Sequence, residues 1–401
     1  MELALRIIRP DLKYLVNSDF VTNKFRIHTN PKNLITKHDR PDSGGTVHRV
    51  IFNSLGCRQH REFTIKKPAH TTRIGFFGDS FTENLRIPVH YSFTEPLDFL
   101  LNQTGNSYQV LNFGTDGYGT DQIYLQYMDE GIKLNLDTVI YMYYPNDLRD
   151  ILADKLVDLD KNGHIYYLPA KPPGLLKRTI RKFYLTYFLL EISSTYDILM
   201  PYLLYDAGKI SEARNESENR KPLKDLPGLH ARGIEDPRLD RALRIFSALL
   251  IEMKQKVNSN SARFYVVLVP SKNFREYNQH YLKMRKLIEG LGIDVLDLSE
   301  AFEQQKQNSA VFYFKKDSHW NEEGNKIAVV YLFKFLTGKL GIDYDGDYFI
   351  KSNLYRYYYS FPPPSITITW LKNTVLTDSL KEAINSRYLA LDRVYHSRPV
   401  K

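Results

Sequence analysis

The sequence predicts an α/β protein built on a doubly wound, mostly parallel sheet, and three observations lead there. From residue 72 onward, short apolar runs alternate with helical stretches, the pattern of a parallel sheet covered by helices. The first three runs end near Ser80, Gly114 and Asn146, in steps of 34 and 32 residues, which suits βαβ units of about 30 residues or more. The first run, residues 74–77, is mostly apolar and passes straight into Gly78-Asp79-Ser80. That reads as a buried strand breaking at a tight turn, with a hydroxyl presented at its carboxyl end.

Taken in order, residues 1–71 form an irregular, β-rich extension. Pro10, Pro31, Pro41 and the pair Gly44-Gly45 interrupt any long helix, residues 47–52 alternate like a short strand, and residues 53–56 read as a turn. The core is expected over 72–338, with strands at 74–77, 108–113, 138–144, 263–269 and 293–298. Helices are expected at 93–101, 122–130, 239–257 and 281–291. The rhythm is interrupted by an insertion at about 151–237. Within it, residues 156–168 read as a hairpin closed by Asn162-Gly163, a type I′ signal.

A calcium loop starting at Asp158 is excluded, because its twelfth position is Pro169 where a bidentate Glu is required. Residues 175–205 are basic and strongly apolar, a helical excursion on the sheet or a cap, with peripheral membrane contact as an alternative. Residues 206–236 read as an exposed connection. Residues 339–401 form a C-terminal extension, with an extended surface segment around 355–364 and a last helix at 376–395.

Composition narrows the function classes. The net charge of +9 comes from 55 basic and 46 acidic residues. The basic residues are scattered, so no nucleic-acid partner is expected. Cys57 is the only cysteine, which excludes an intrachain disulfide and a cysteine-based metal site. No window approaches the ~20 apolar residues of a spanning helix, and residues 1–10 lack the apolar run of a signal peptide. The sequence as given reads as cytoplasmic, with no metal or cofactor.

Four positions carry candidate chemistry. A serine attacks an acyl carbon only if a base takes its proton, usually a histidine oriented by a carboxylate. Of the 11 histidines, His319 stands out in Asp317-Ser318-His319-Trp320, just ahead of a helix that Asn321 would cap. Gly114 would let its backbone N–H approach a substrate oxygen. Asn146, in Tyr144-Pro145-Asn146-Asp147, could donate to a developing oxyanion. Each alone also has an ordinary reading as a turn or a cap.

Together and in this order, Ser80 in Gly78-Asp79-Ser80-Phe81, Gly114, Asn146 and His319 resemble the signature of the SGNH/GDSL hydrolase superfamily. The resemblance covers residues 72–335, and Asn53-Ser54-Leu55-Gly56-Cys57-Arg58 is similar to the segment ahead of this block in many bacterial members. It implies a three-layer α/β/α sandwich with a flavodoxin-like sheet and a shallow, open site. Ser80 would be the nucleophile, His319 the general base and Asp317 its orienting acid. The oxyanion donors would be the Ser80 and Gly114 N–H groups with the Asn146 side chain, and Asp79 would be structural.

Two features depart from the common pattern. Phe81 stands where the name motif has Leu, and one residue separates Asp317 from His319 where two are commonest. Asp-x-His-Trp is similar to the branch with alginate and peptidoglycan O-acetyltransferase-like proteins. The expected activity is a serine esterase acting on a short-chain ester, acetyl foremost, of a carbohydrate or small molecule. The alternatives are an O-acyltransferase using a sugar hydroxyl and a non-catalytic glycan- or membrane-surface-binding protein.

Overall fold

The structure is a computed structural model and describes residues 21–23, 26–38, 48–170, 226–305, 311–315 and 317–361. The expected helices at 175–205 and 376–395, and with the first the possible membrane contact, lie outside the described residues.

Two short antiparallel pairs lead in: β1 (Val21–Asn23) with β2 (Ile27–Thr29), and β3 (Leu34–His38) with β4 (His48–Phe52). The core begins with β5 (Thr71–Gly78), α1 (Ser80–Glu83) and a 3-10 turn (Val89–Tyr91). It continues through α2 (Thr94–Asn102), β6 (Ser107–Asn112), α3 (Thr120–Asp129), β7 (Thr138–Tyr143) and α4 (Asp147–Asp154). A hairpin of β8 (Val157–Leu159) and β9 (Ile165–Tyr167) follows, then α5 (Leu226–Arg232) and α6 (Pro237–Ser259). The remaining elements are β10 (Arg263–Leu268), α7 (Asn278–Gly290), β11 (Asp294–Asp297), α8 (Leu298–Gln304), α9 (Glu322–Leu340) and α10 (Gly346–Tyr359).

The central sheet runs β6-β5-β7-β10-β11, and all four pairings are parallel. This is the flavodoxin-like order, in which the chain reverses direction of travel between its first and third strands, here β5 and β7. Ligands of such sheets sit at the carboxyl ends of the strands at that point. Every residue of β7 is buried, as expected for a strand covered on both faces. Helices α3, α4, α5, α6 and α7 group on one side, while α2, α8, α9 and α10 group on the other.

Local chemistry explains the helices that matter for the site. Asp236 accepts from the Arg238 N–H, and Pro237 opens α6, where a missing N–H costs nothing. Leu239, Ala242, Phe246, Leu249, Met253 and Val257 then recur at helical spacing on its buried face. Asn321 caps α9 by accepting from Glu323 N and Gly324 N at 3.0 and 3.2 Å.

Three expectations are corrected. Residues 355–359 are not extended: they end α10, because Ile350, Leu354, Tyr357 and Tyr358 form a buried helical stripe. Tyr358 stacks on Tyr91 and the Tyr357 hydroxyl donates to the His90 carbonyl at 3.0 Å. Within the stretch read as an exposed connection, residues 226–232 form α5, with Leu226 and Leu229 buried. In the hairpin only Gly163 has a positive φ, +84°, so the turn is not type I′. The Asp160 carboxylate accepts from the N–H groups of Asn162 and His164, which keeps Asn162 right-handed and leaves a three-residue loop.

Candidate active site

The loops after β6, β5 and β7 converge at the carboxyl end of the sheet. Gly78 of β5 pairs with Met142 of β7, and Phe76 with Asn112 of β6, so Ser80, Gly114 and Asn146 each lie a few residues past neighbouring strand positions. Asp79 makes the turn: its Oδ1 accepts the Phe81 N–H at 2.9 Å and caps α1. Ser80 is thus the first residue of α1, a position whose N–H has no partner within the helix.

His319 arrives from a loop 239 residues away in sequence, and its Nε2 lies 2.7 Å from Ser80 Oγ. Its Nδ1 hydrogen-bonds Asp317 Oδ1, which also accepts the His319 backbone N–H at 2.8 Å. A carboxylate only accepts, so Nδ1 carries the ring proton and Nε2 is left to accept from the serine hydroxyl. The one-residue spacing lets Asp317 and His319 share an Asx-type turn. Ser80, His319 and Asp317 are therefore brought together in one hydrogen-bonded chain.

Electrostatics favour a neutral imidazole. Burial pulls the His319 pKa down from its ordinary value and the nearby Arg86 guanidinium adds to this, while Asp317 opposes both. Burial would raise the Asp317 carboxyl, but its bond to His319, the imidazole's charge and Arg86 together hold it well below the usual carboxylate range.

Two features were not foreseen from the sequence. Arg86 Nε donates to Asp317 Oδ2 at 2.8 Å. Phe81, the departure from the Gly-Asp-Ser-Leu form, stacks on His319 at 4.7 Å and on Tyr144 at 4.1 Å, and meets Trp320 edge-on. The aromatic ring supports the flat face of the imidazole, so Phe81 does more than fill space.

The predicted oxyanion donors fare unequally. The Gly114 N–H donates to Asn112 Oδ1 at 2.9 Å, and the Gly114 carbonyl accepts from Asn30 Nδ2 at 2.7 Å. That amide is already engaged, contrary to the expectation that it faces a substrate oxygen. The glycine is required for another reason: a Cβ there would lie 2.1 Å from Glu83 N and 2.4 Å from the Thr82 carbonyl carbon. It lets the β6 loop press against the helix of the nucleophile. Asn146 precedes α4 without capping it, and its side-chain oxygen is buried with no hydrogen-bond partner among the described residues.

Beneath the site lie fully buried carboxyls. Asp147 Oδ2 accepts from the Tyr141 hydroxyl and the Tyr144 N–H, while Asp147 Oδ1 and Asp79 Oδ2 have no hydrogen-bond partner among the described residues. Burial, then mutual repulsion with neighbouring carboxylates, raises both pKa values above the usual range. A folded-state pKa above the unfolded value contributes stability that is complete below the unfolded pKa, near 4, and is lost as pH rises through the folded pKa. The melting temperature should therefore fall as pH rises from about 4 to the folded-state pKa values, about 7 for Asp79, and Asp147→Asn should flatten that decline. A slope unchanged in the variant would rule out this pair as its source.

Residues 254–343, which include Asp317, His319 and α9, match the family described as SGNH hydrolase-like domain, acetyltransferase AlgX. Over this stretch the chain resembles proteins of the SGNH/GDSL superfamily. This match supports esterase- or acyltransferase-type chemistry. No curated protein matches it.

Three solved structures are similar to this chain. A lipolytic protein of the G-D-S-L family from Desulfitobacterium hafniense DCB-2 is 12% identical, at a TM-score of 0.34, over 66% of this chain and 98% of its own. The acetyl xylan esterase AlAXEase is 14% identical, at 0.36, over 66% and 99%. Axe2, an acetylxylan esterase from Geobacillus stearothermophilus, is 10% identical, at 0.37, over 66% and 93%. Among the described residues no helix is long and apolar enough to cross a membrane, and no cluster of three or more His, Cys, Asp or Glu side chains could hold a metal ion.

Proposed function

We propose that the protein is a serine-dependent esterase that removes a short acyl group, acetyl foremost, from a carbohydrate or small ester. The observation that carries this is the continuous hydrogen-bonded chain from Ser80 Oγ through His319 to Asp317. Ser80 Oγ attacks the acyl carbon as its proton passes to His319 Nε2, and Asp317 stabilises the imidazolium that forms. The Ser80 N–H and the Asn146 side chain are the donors left to face the oxyanion, with the Gly114 amide available only if Asn112 releases it. Collapse returns the proton to the departing alcohol and leaves acyl-Ser80, which water activated by His319 then hydrolyses.

The same intermediate serves a second reading. The Asp-x-His-Trp block and the acetyltransferase description of the matching family favour a sugar hydroxyl in place of water. The partition is measurable: p-nitrophenyl acetate should give an initial burst and an acetyl adduct on Ser80 detected by mass spectrometry. Added oligosaccharide should then either leave the rate of acetate release unchanged or divert acetyl to sugar. Absence of turnover and of adduct would end both readings.

The protonation state gives a pH test. Because the His319 pKa is lowered, the base is neutral at lower pH than an ordinary histidine. The rise of kcat/KM with pH should therefore have its midpoint below about 6.5. A midpoint above that value would contradict the proposed electrostatics.

A further inference from the structure

The loop that leaves the nucleophile's helix reaches back to hold the base. Asn84 closes α1 in the left-handed region, at φ 60°, and residues 84–88 then run beside the Asp317–His319 loop. This segment is braced from beneath. Arg58, fully buried, donates to the carbonyls of Glu83 and Ile87. His48 Nε2 lies 2.9 Å from the Leu85 carbonyl, which can only accept, so that nitrogen carries its proton. Asn325 of α9 donates to Asn84 Oδ1 at 3.3 Å.

From this braced loop Arg86 Nε reaches Asp317 Oδ2 at 2.8 Å across 231 residues of sequence. Both side chains are largely shielded, 18% and 20% exposed. The two carboxylate oxygens are thereby divided: Oδ1 serves His319 through its ring and its backbone N–H, and Oδ2 serves Arg86. Contacts close into a ring, from Ser80 along α1 to Arg86, then Asp317, His319 and Ser80 again.

Resting on the acyl-transfer reading above, we propose that Arg86 is a positioning residue, clamping Asp317 so that His319 is held against Ser80. A charge-assisted bond to one oxygen fixes the rotation of the carboxylate, which a turn of only three residues does not do alone. The arrangement compensates for the short Asp-x-His spacing, because the second anchor comes from the nucleophile's own loop.

The test compares wild type with Arg86→Met and Arg86→Lys, each also combined with Asp317→Asn. In Arg86→Met, kcat on p-nitrophenyl acetate should fall roughly 10- to 100-fold, no more than the lower end of the 10²–10⁴-fold that a positioned base supplies, with KM changed less than about threefold. The lysine variant, which keeps a donor and the charge, should recover part of that loss. On the Asp317→Asn background, Arg86→Met should add little, since the two act through one group.

A readout independent of turnover is the downfield imidazole N–H proton resonance of His319, expected in wild type, lost in Arg86→Met and partly restored in Arg86→Lys. Retention of that resonance in Arg86→Met, or a loss of activity repeated in full on Asp317→Asn, would overturn the clamp. A lowered melting temperature with unchanged kcat and resonance would assign Arg86 a structural role and overturn it equally. If wild type is inert while the resonance responds as described, the clamp stands and the esterase reading falls.

Discussion

Ser80→Ala should lower kcat on p-nitrophenyl acetate by roughly 10⁴-fold or more while leaving the fold in place. The size follows from what remains: without the hydroxyl no acyl-enzyme forms, and only oxyanion donors and binding contribute. The fold should survive because the hydroxyl's partner is His319, and α1 is capped by Asp79 rather than by Ser80. Losing that hydrogen bond costs about 1 kcal/mol, so the melting temperature should move by only a few degrees. Adding His319→Ala to Ser80→Ala should cost almost nothing further, because base and nucleophile act as a unit. Activity within tenfold of wild type in Ser80→Ala would remove Ser80 as the nucleophile.

The parts of this molecule legible in the sequence are those where a local pattern has one physical meaning. The strands ending at Ser80 and near Asn146 are buried on both faces, so they read as short apolar runs. Asn321 ahead of Glu322 and Glu323 announced a helix start, and that helix follows the base directly. The strand order was different, because spacing indicates βαβ units without saying which strands are neighbours. It entered through the resemblance carried by four residues.

Contacts between distant segments were not legible. Arg86 is one of 55 basic residues, and nothing near it marks a partner 231 residues away. Gly114 was correctly singled out, but for a free amide. What demands glycine is the backbone of Thr82 and Glu83 pressed against it, a close approach visible only in three dimensions. The tyrosines of α10 misled in the opposite way. A run of aromatic residues followed by prolines suggested a surface segment, yet Tyr357 and Tyr358 are on the helix face that covers His90 and Tyr91.

Asp317→Asn should reduce kcat by roughly 10²- to 10⁴-fold, approaching the loss seen when a triad carboxylate is made an amide elsewhere. The reason is a count of acceptors. Three donors converge on Asp317: the Arg86 guanidinium at one oxygen, and the His319 backbone N–H and Nδ1–H at the other. An asparagine offers one acceptor oxygen and one NH₂ donor. If its oxygen faces His319, its NH₂ group opposes the Arg86 donor. If it flips to satisfy Arg86, the NH₂ group faces His319, and Nδ1 must lose its proton to accept. The proton then sits on Nε2, the atom that has to take one from Ser80. Either orientation leaves a donor unmatched in a shielded place, costing about 1–3 kcal/mol or more where a charge is involved. Asp317→Asn should therefore lower stability as well as rate, and Arg86→Met in the same chain should restore stability without restoring kcat. Recovery of both together would mean that Asp317 serves the fold alone and that His319 is oriented by something else.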